Sequence, residues 1–234
     1  MHLIDLSTRL LPSETERLVA TAESFADDDV RAESLCAGWT RGHVLTHLAR
    51  NAEGLGRVCA AVLTGAAETM YESPEARDSD IEAGAGRPAA ELAADVRVTA
   101  AALAPQITRL GIEHVGTTVE RVPGGQLIAA ERVPFMRLRE VVWHHVDLDA
   151  GYTFESAPEE LVHLFLEDTV RRLGSSDGVP GLLIRTDEGE EWTVGDGGST
   201  ITGPRHGVLL WLARGRADAL RDHSDALPRL PFGG

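Results

Sequence analysis

Two residues one helical turn apart, Glu140 and His144, have the types and spacing most suggestive of chemistry in this chain. They lie in PFMRLREVVWHHVDLDA, Pro134 to Ala150, where Pro134 suits the first turn of a helix because its missing N–H costs nothing there. At helical periodicity Phe135, Leu138, Val141, Val142, Trp143, Val146 and Leu148 cover most of the circumference, which predicts a largely buried helix. Arg137, Glu140, His144 and Asp147 make its single narrow polar stripe. A carboxylate and an imidazole on a buried helix are costly unless they pair with each other or bind a cation. Glu-x-x-x-His supplies two of the three protein ligands that a catalytic zinc needs. By spacing alone, a buried ion pair or a packed core histidine accounts for the pattern more readily than a metal does.

A third ligand would have to come from another element, and SLCAGWTRGHVLTHLARNAEGLGRVCAAVLTG offers one. Thr40 is a fitting N-cap, and Val44, Leu45, Leu48, Leu55, Val58, Cys59, Val62 and Leu63 set an apolar face for a helix running to about Leu63. His47, Asn51 and Gly54 share a sector at the border of that face, so His47 is expected to be neither fully buried nor fully exposed. Of the two cysteines, Cys59 falls among core positions, while Cys36 precedes Gly38-Trp39 near where a site could open. No base stands beside either at a spacing diagnostic of a nucleophile.

The elements that must hold these residues read as follows. Pro12 to Phe25 predicts a helix, with an acidic turn at Asp27 to Asp29. Gly65 to Gly86 lacks a sustained period and reads as a long loop with a short helix after Pro74, with Tyr71 and Arg77 as its site-facing residues. Arg87 to about Leu103 predicts another long helix, limited by Pro105, and a small extended excursion follows between Glu113 and Glu131. Four long helices suit a bundle whose core can house a metal. Past residue 151 the pattern changes to a helix over Pro158 to Leu173, strands at 182–185, 191–194 and 199–202, and a last helix in HGVLLWLARGRADAL. The tail from Leu227 to Gly234 reads as a loosely ordered end. With 234 residues, 43% of them hydrophobic, the chain has ample material for a core. A net charge of −15 disfavours nucleic acid and anionic membrane surfaces as partners. An anionic substrate would have to be gathered locally by arginines, which make up every basic residue other than histidine.

On these residues the chain resembles the mycothiol-dependent maleylpyruvate isomerases of the wider DinB-like superfamily. Three stretches carry the resemblance: SLCAGWTRGHVLTHLARNAEGL, FMRLREVVWHHVDL and ETMYESPEARDSDIEAGAG. It implies an α+β protein, with an N-terminal DinB-like four-helix bundle over residues 1–151 and a small α/β sterol-carrier-like domain over 152–234. It implies zinc, or another divalent metal, on His47, Glu140 and His144, with mycothiol as thiol cosubstrate. The activity implied is conversion of maleylpyruvate to fumarylpyruvate by thiolate addition, bond rotation and elimination. Arg77 and Arg216 are the candidate catalytic arginines, with Arg214 competing for the second role because WLARGRAD shifts the Gly-Arg pair. Asn51 and Tyr71 are the candidate contacts to the thiol cosubstrate. Arg137 and Asp147 are expected to orient the ligands. The alternatives are a mycothiol S-transferase, which keeps the conjugate, and a non-enzymatic metal- or ligand-binding protein. The expected protein is a cytoplasmic monomer that engages neither membrane nor nucleic acid.

Overall fold

The computed structural model describes residues 3–223 and 227–230; the remainder of the tail expected to be loosely ordered lies outside the described residues. The chain divides into two compact units, Met1–Ala150 and Gly151–Gly234. Among the described residues no helix is long and apolar enough to cross a membrane.

In the first unit four long helices, α1 (Leu3–Glu23), α3 (Arg41–Thr64), α5 (Ala89–Ile107) and α6 (Val133–Asp147), close into a bundle, with α1 and α3 each touching both α5 and α6. The short α2 (Asp27–Arg31) and α4 (Pro74–Ala85) attach to it, and a two-stranded hairpin, β1 (Thr118–Glu120) with β2 (Leu127–Ala129), precedes α6. The core is aliphatic, with Leu18, Leu45, Leu48, Leu55, Leu92, Val96, Leu138 and Val142 sealed from solvent.

Both prolines expected to bound helices lie inside them. The first helix starts at Leu3 and runs through Pro12. An interior proline costs about 3 kcal/mol, but Leu6, Leu10 and Leu11 are buried around it, and each gains roughly 2 kcal/mol by burial. In α5 the helix passes Pro105 and continues to Ile107, which is buried. The segment expected to be mostly loop is half helix: α4 spans twelve residues, started by Pro74 in the first turn and by Ser73, whose hydroxyl accepts the Ala76 N–H at 3.1 Å. The acidic turn at Asp27 to Asp29 is α2, in which the Asp29 carboxylate accepts the Ala26 N–H at 2.8 Å.

The second unit is a four-stranded sheet, ordered β4 (Glu191–Val194), β3 (Leu182–Thr186), β5 (Ser199–Gly203), β6 (Asp222–His223), with α7 (Glu159–Gly174) and α8 (Arg205–Arg214). β3 and β5 run parallel and the other pairs antiparallel. Leu166, Leu173, Leu182, Ile184, Ile201 and Trp211 fill its core. The whole is the expected helical bundle followed by a small α/β unit. Helix α8 stops at Arg214, short of the end expected for it, because Gly215 adopts φ +67° and caps it in the left-handed region.

A charged cluster around Arg205 braces this unit. Arg205 is almost buried, and its guanidinium donates to Glu190 at 2.8 Å and to Glu159 at 3.0 Å. Burial pushes the Glu190 carboxyl upward, but hydrogen bonds from Arg205, Thr186 and His163 outweigh it and hold the group below its ordinary value of 4.5. A carboxyl held low stabilises the fold above that ordinary value and stops doing so as the pH falls through the depressed one. Arg205→Met is therefore expected to cost about 2 kcal/mol at neutral pH. The gap to wild type should narrow on acidification below about pH 4.5, as read by chemical denaturation at the two pH values.

Candidate metal centre

Three side chains from two helices meet inside the bundle. His47 is on α3, one face of which is buried along its length, and Glu140 and His144 lie one turn apart on α6. His47 Nε2 stands 2.8 Å from Glu140 Oε2, and His144 Nε2 stands 3.3 Å from the same oxygen. The two imidazoles meet edge to face with centroids 4.6 Å apart. One ligand atom from each residue lies within 4.8 Å of the other two. Atoms sharing a tetrahedral ion at about 2.0–2.1 Å stand roughly 3.4 Å apart, so this donor set fits a divalent cation with small adjustment.

His47 is only 5% exposed, more buried than its border position suggested. The reason is non-local: Trp39 lies against one side, ring centroids 5.5 Å apart, and Arg77 of α4 covers another. Helix α4 can come this close because a Cβ on Gly42 would collide with the carbonyl oxygen of Ala85, and one on Gly84 with the side chain of Thr46. Gly54 plays the same part for the loop before α4, since a Cβ there would sit 3.0 Å from Met70 Cγ and 3.2 Å from the Tyr71 ring.

The electrostatics follow from the contacts. Burial lowers the His47 pKa to about 4, helped by the neighbouring His144 and only partly countered by Glu140. Burial also opposes the charge on Glu140, yet hydrogen bonds from His144 and His47 hold its carboxyl well below the usual range. For His144 burial acts downward, and hydrogen bonds to Asp147, Cys36 and Glu140 prevail and raise it well above 6.5. A neutral imidazole, an imidazolium and a carboxylate thus face one another. Arg77 Nη2 is 3.2 Å from His47 Nδ1, and because an arginine only donates, Nδ1 accepts and the ring hydrogen sits on Nε2, toward Glu140.

A second layer fixes these groups. Asp147, 1% exposed, holds His144 Nδ1 at 2.8 Å and accepts the Cys36 thiol at 3.2 Å. The backbone N–H of Leu35 donates to the Asp147 carbonyl at 2.9 Å, which ties the Cys36 to Trp39 turn to the end of α6. Cys36, His144 and Asp147 form another group of ligand types, but on the Nδ1 side of His144, facing away from His47. Cys59 is sealed in the core, and burial pushes its thiol up to about 12, which makes it inert.

The remaining candidates are distributed as follows. Asn51 is buried on α3, and its side-chain oxygen accepts from Arg137 Nη1 at 2.8 Å. Arg137 also donates to the Leu48 carbonyl at 2.9 Å, so its hydrogen bonds serve α3 and not Glu140 as expected. Tyr71 is buried against Gly54, with the Arg77 guanidinium 6.0 Å from its ring centroid. Arg77 pairs with Asp78 at 2.6 Å. Arg216 follows the α8 cap, exposed, in an ion pair with Asp218 at 2.9 Å, and Arg214 is the last residue of α8, donating to the Ala213 carbonyl at 2.7 Å. Sequence reasoning missed the Cys36–Asp147 link and the wall made by Trp39. The only local signal for either was the Cys36 to Trp39 turn itself.

A family model described as the mycothiol maleylpyruvate isomerase N-terminal domain matches residues 11–149. The crystal structure of a mycothiol-dependent maleylpyruvate isomerase superposes with a TM-score of 0.89 at 24% identity, over 99% of this chain and 97% of that one. A histidine-to-alanine mutant of a mycothiol-dependent maleylpyruvate isomerase gives the same TM-score at 23% identity, with the same coverage. At these identities the likeness shows the fold. No curated protein matches the sequence.

Proposed function

The chain belongs to the mycothiol maleylpyruvate isomerase N-terminal domain family, and from that premise we propose that it is a thiol- and metal-dependent cis–trans isomerase of maleylpyruvate. The observation that supports the reading is the proximity of His47, Glu140 and His144: both imidazole Nε2 atoms stand within 3.3 Å of Glu140 Oε2, and one ligand atom from each residue lies within 4.8 Å of the other two. Three protein ligands leave a position open, as a catalytic site requires and a structural one does not. A divalent cation such as zinc, when bound, lowers the pKa of a thiol ligand so that the thiol is ionised near neutral pH.

Each of the chain's own residues then has a defined role. His47 must present the Nε2 lone pair, so its hydrogen moves to Nδ1, and that nitrogen can no longer accept from Arg77. The Arg77 guanidinium is thereby released toward an incoming carboxylate, which it can bind in a fork. Asp147 keeps the His144 Nδ1–H in place and so aims Nε2 at the centre. Trp39 packs on His47 and helps to keep the ring out of water. Arg216 is the proposed second arginine, Asn51 and Tyr71 the proposed contacts to mycothiol.

In the reaction the thiolate sulfur adds to one alkene carbon, and the π electrons move to the conjugated carbonyl oxygen. The former double bond rotates as a single bond. The enolate then re-forms the alkene and expels the thiolate, so no atom is gained or lost. Protein, zinc, mycothiol and maleylpyruvate incubated together should give fumarylpyruvate with no net loss of thiol. Consumption of one thiol per substrate would identify a transferase instead, and turnover without thiol would refute the mechanism.

A further inference from the structure

The bundle itself contains a second arginine beside Arg77 for which the sequence carried no signal. Arg121 follows β1, and the hairpin is stitched to the loop before α4 by two backbone hydrogen bonds, Met70 N–H to Glu120 carbonyl at 3.1 Å and Tyr71 N–H to Arg121 carbonyl at 2.9 Å. This places the Arg121 guanidinium 5.9 Å from the Tyr71 ring centroid, while Arg77 lies 6.0 Å from the same centroid. Tyr71 is 6% exposed, and Arg77, beside its ring, stands 3.2 Å from His47 Nδ1, so Tyr71 and Arg77 connect Arg121 to the candidate centre. Arg121 is exposed and has no carboxylate partner among the described residues, unlike Arg77, which is engaged by Asp78. In a chain with 37 acidic and 22 basic side chains, an arginine next to the site with no such acid beside it is a place where an anion is favoured.

We propose that Arg121 is a specificity-determining residue that, with Arg77 beside the same Tyr71 ring, binds the second carboxylate of a dicarboxylate substrate. The proposal rests on the reading of the site as one for a small organic acid and is independent of the isomerisation. It also accounts for the hairpin, because the β1–β2 pairing delivers a cation to a site built on helices. Arg121 touches substrate and takes no part in the ionisation of the thiol, so its loss should act on binding of diacids alone.

The test uses the zinc-loaded protein and two saturated acids that cannot accept a thiol, succinate and butyrate, with binding followed by calorimetry. Wild type should bind succinate about tenfold or more tightly than butyrate, since one additional charge-assisted contact is available. Arg121→Ala should lose that preference by weakening succinate alone, with butyrate unchanged, and Arg121→Lys should restore part of it. A melting temperature equal to wild type in both variants separates this from a folding defect. Equal binding of succinate by wild type and Arg121→Ala, or no preference for the diacid in wild type, would overturn the proposal. Failure of the isomerase reading would show separately, as absence of thiol-dependent turnover in a protein that still discriminates between the two acids.

Discussion

His47→Ala is expected to abolish zinc retention and to lower thiol-dependent kcat/KM by more than the roughly 100-fold that loss of an outer-shell partner causes. Glu140 and His144 share a helix, so they remain side by side whatever α3 does, but two ligands on one edge do not hold an exchangeable cation firmly. His47 is the single candidate ligand from the facing helix and would close the set. Its removal should leave the fold intact, because Glu140 keeps His144 as a partner and Arg77 keeps Asp78. Metal content after dialysis and thiol-dependent turnover are the measurements. A variant that keeps one zinc per chain and wild-type turnover would remove His47 from the mechanism.

Asp147→Asn is expected to weaken zinc binding by about 10- to 100-fold with little change in stability. Asp147 is buried and engages both the His144 ring and the Cys36 thiol. The asparagine oxygen can still accept from Nδ1–H, so the ring keeps its direction, but the negative charge that makes the opposite nitrogen a better donor is gone. Cys36→Ser retains a hydroxyl donor for Asp147 and should bind zinc close to wild type, which separates the carboxylate's contribution from that of the thiol. Zinc affinity measured by competition with a chromophoric chelator distinguishes these outcomes. Equal affinity in wild type and Asp147→Asn would mean that His144 is oriented by packing alone.

Much of this site was legible before any coordinates, and the reason is local periodicity. The Glu140–His144 pair and the largely buried helix around it follow from spacing within one segment, and His47 stands out as the polar residue bordering the apolar face of α3. What could not be read were the features set by distant partners. The burial of His47 depends on Trp39 and on α4, whose approach needs Gly42 and Gly84 at matching places. The extension of α1 through Pro12 depends on which leucines find a core. Arg121 sits in a turn with no period of its own, and two backbone hydrogen bonds to residues 70 and 71 decide where it lies. Asn51 illustrates the opposite case: it lies on the expected helix, but its oxygen is taken by Arg137, which the sequence put on a stripe with Glu140 and His144.

The measurement that bears most directly on the account is the zinc X-ray absorption spectrum of the loaded protein with and without mycothiol. Without the thiol, only nitrogen and oxygen neighbours at about 2.0–2.2 Å are predicted, as two imidazoles and a carboxylate provide. With it, one sulfur neighbour at about 2.3 Å should join them, and the same addition to His47→Ala should give no such spectrum. A wild-type spectrum that gains no sulfur when the thiol is present would contradict the account.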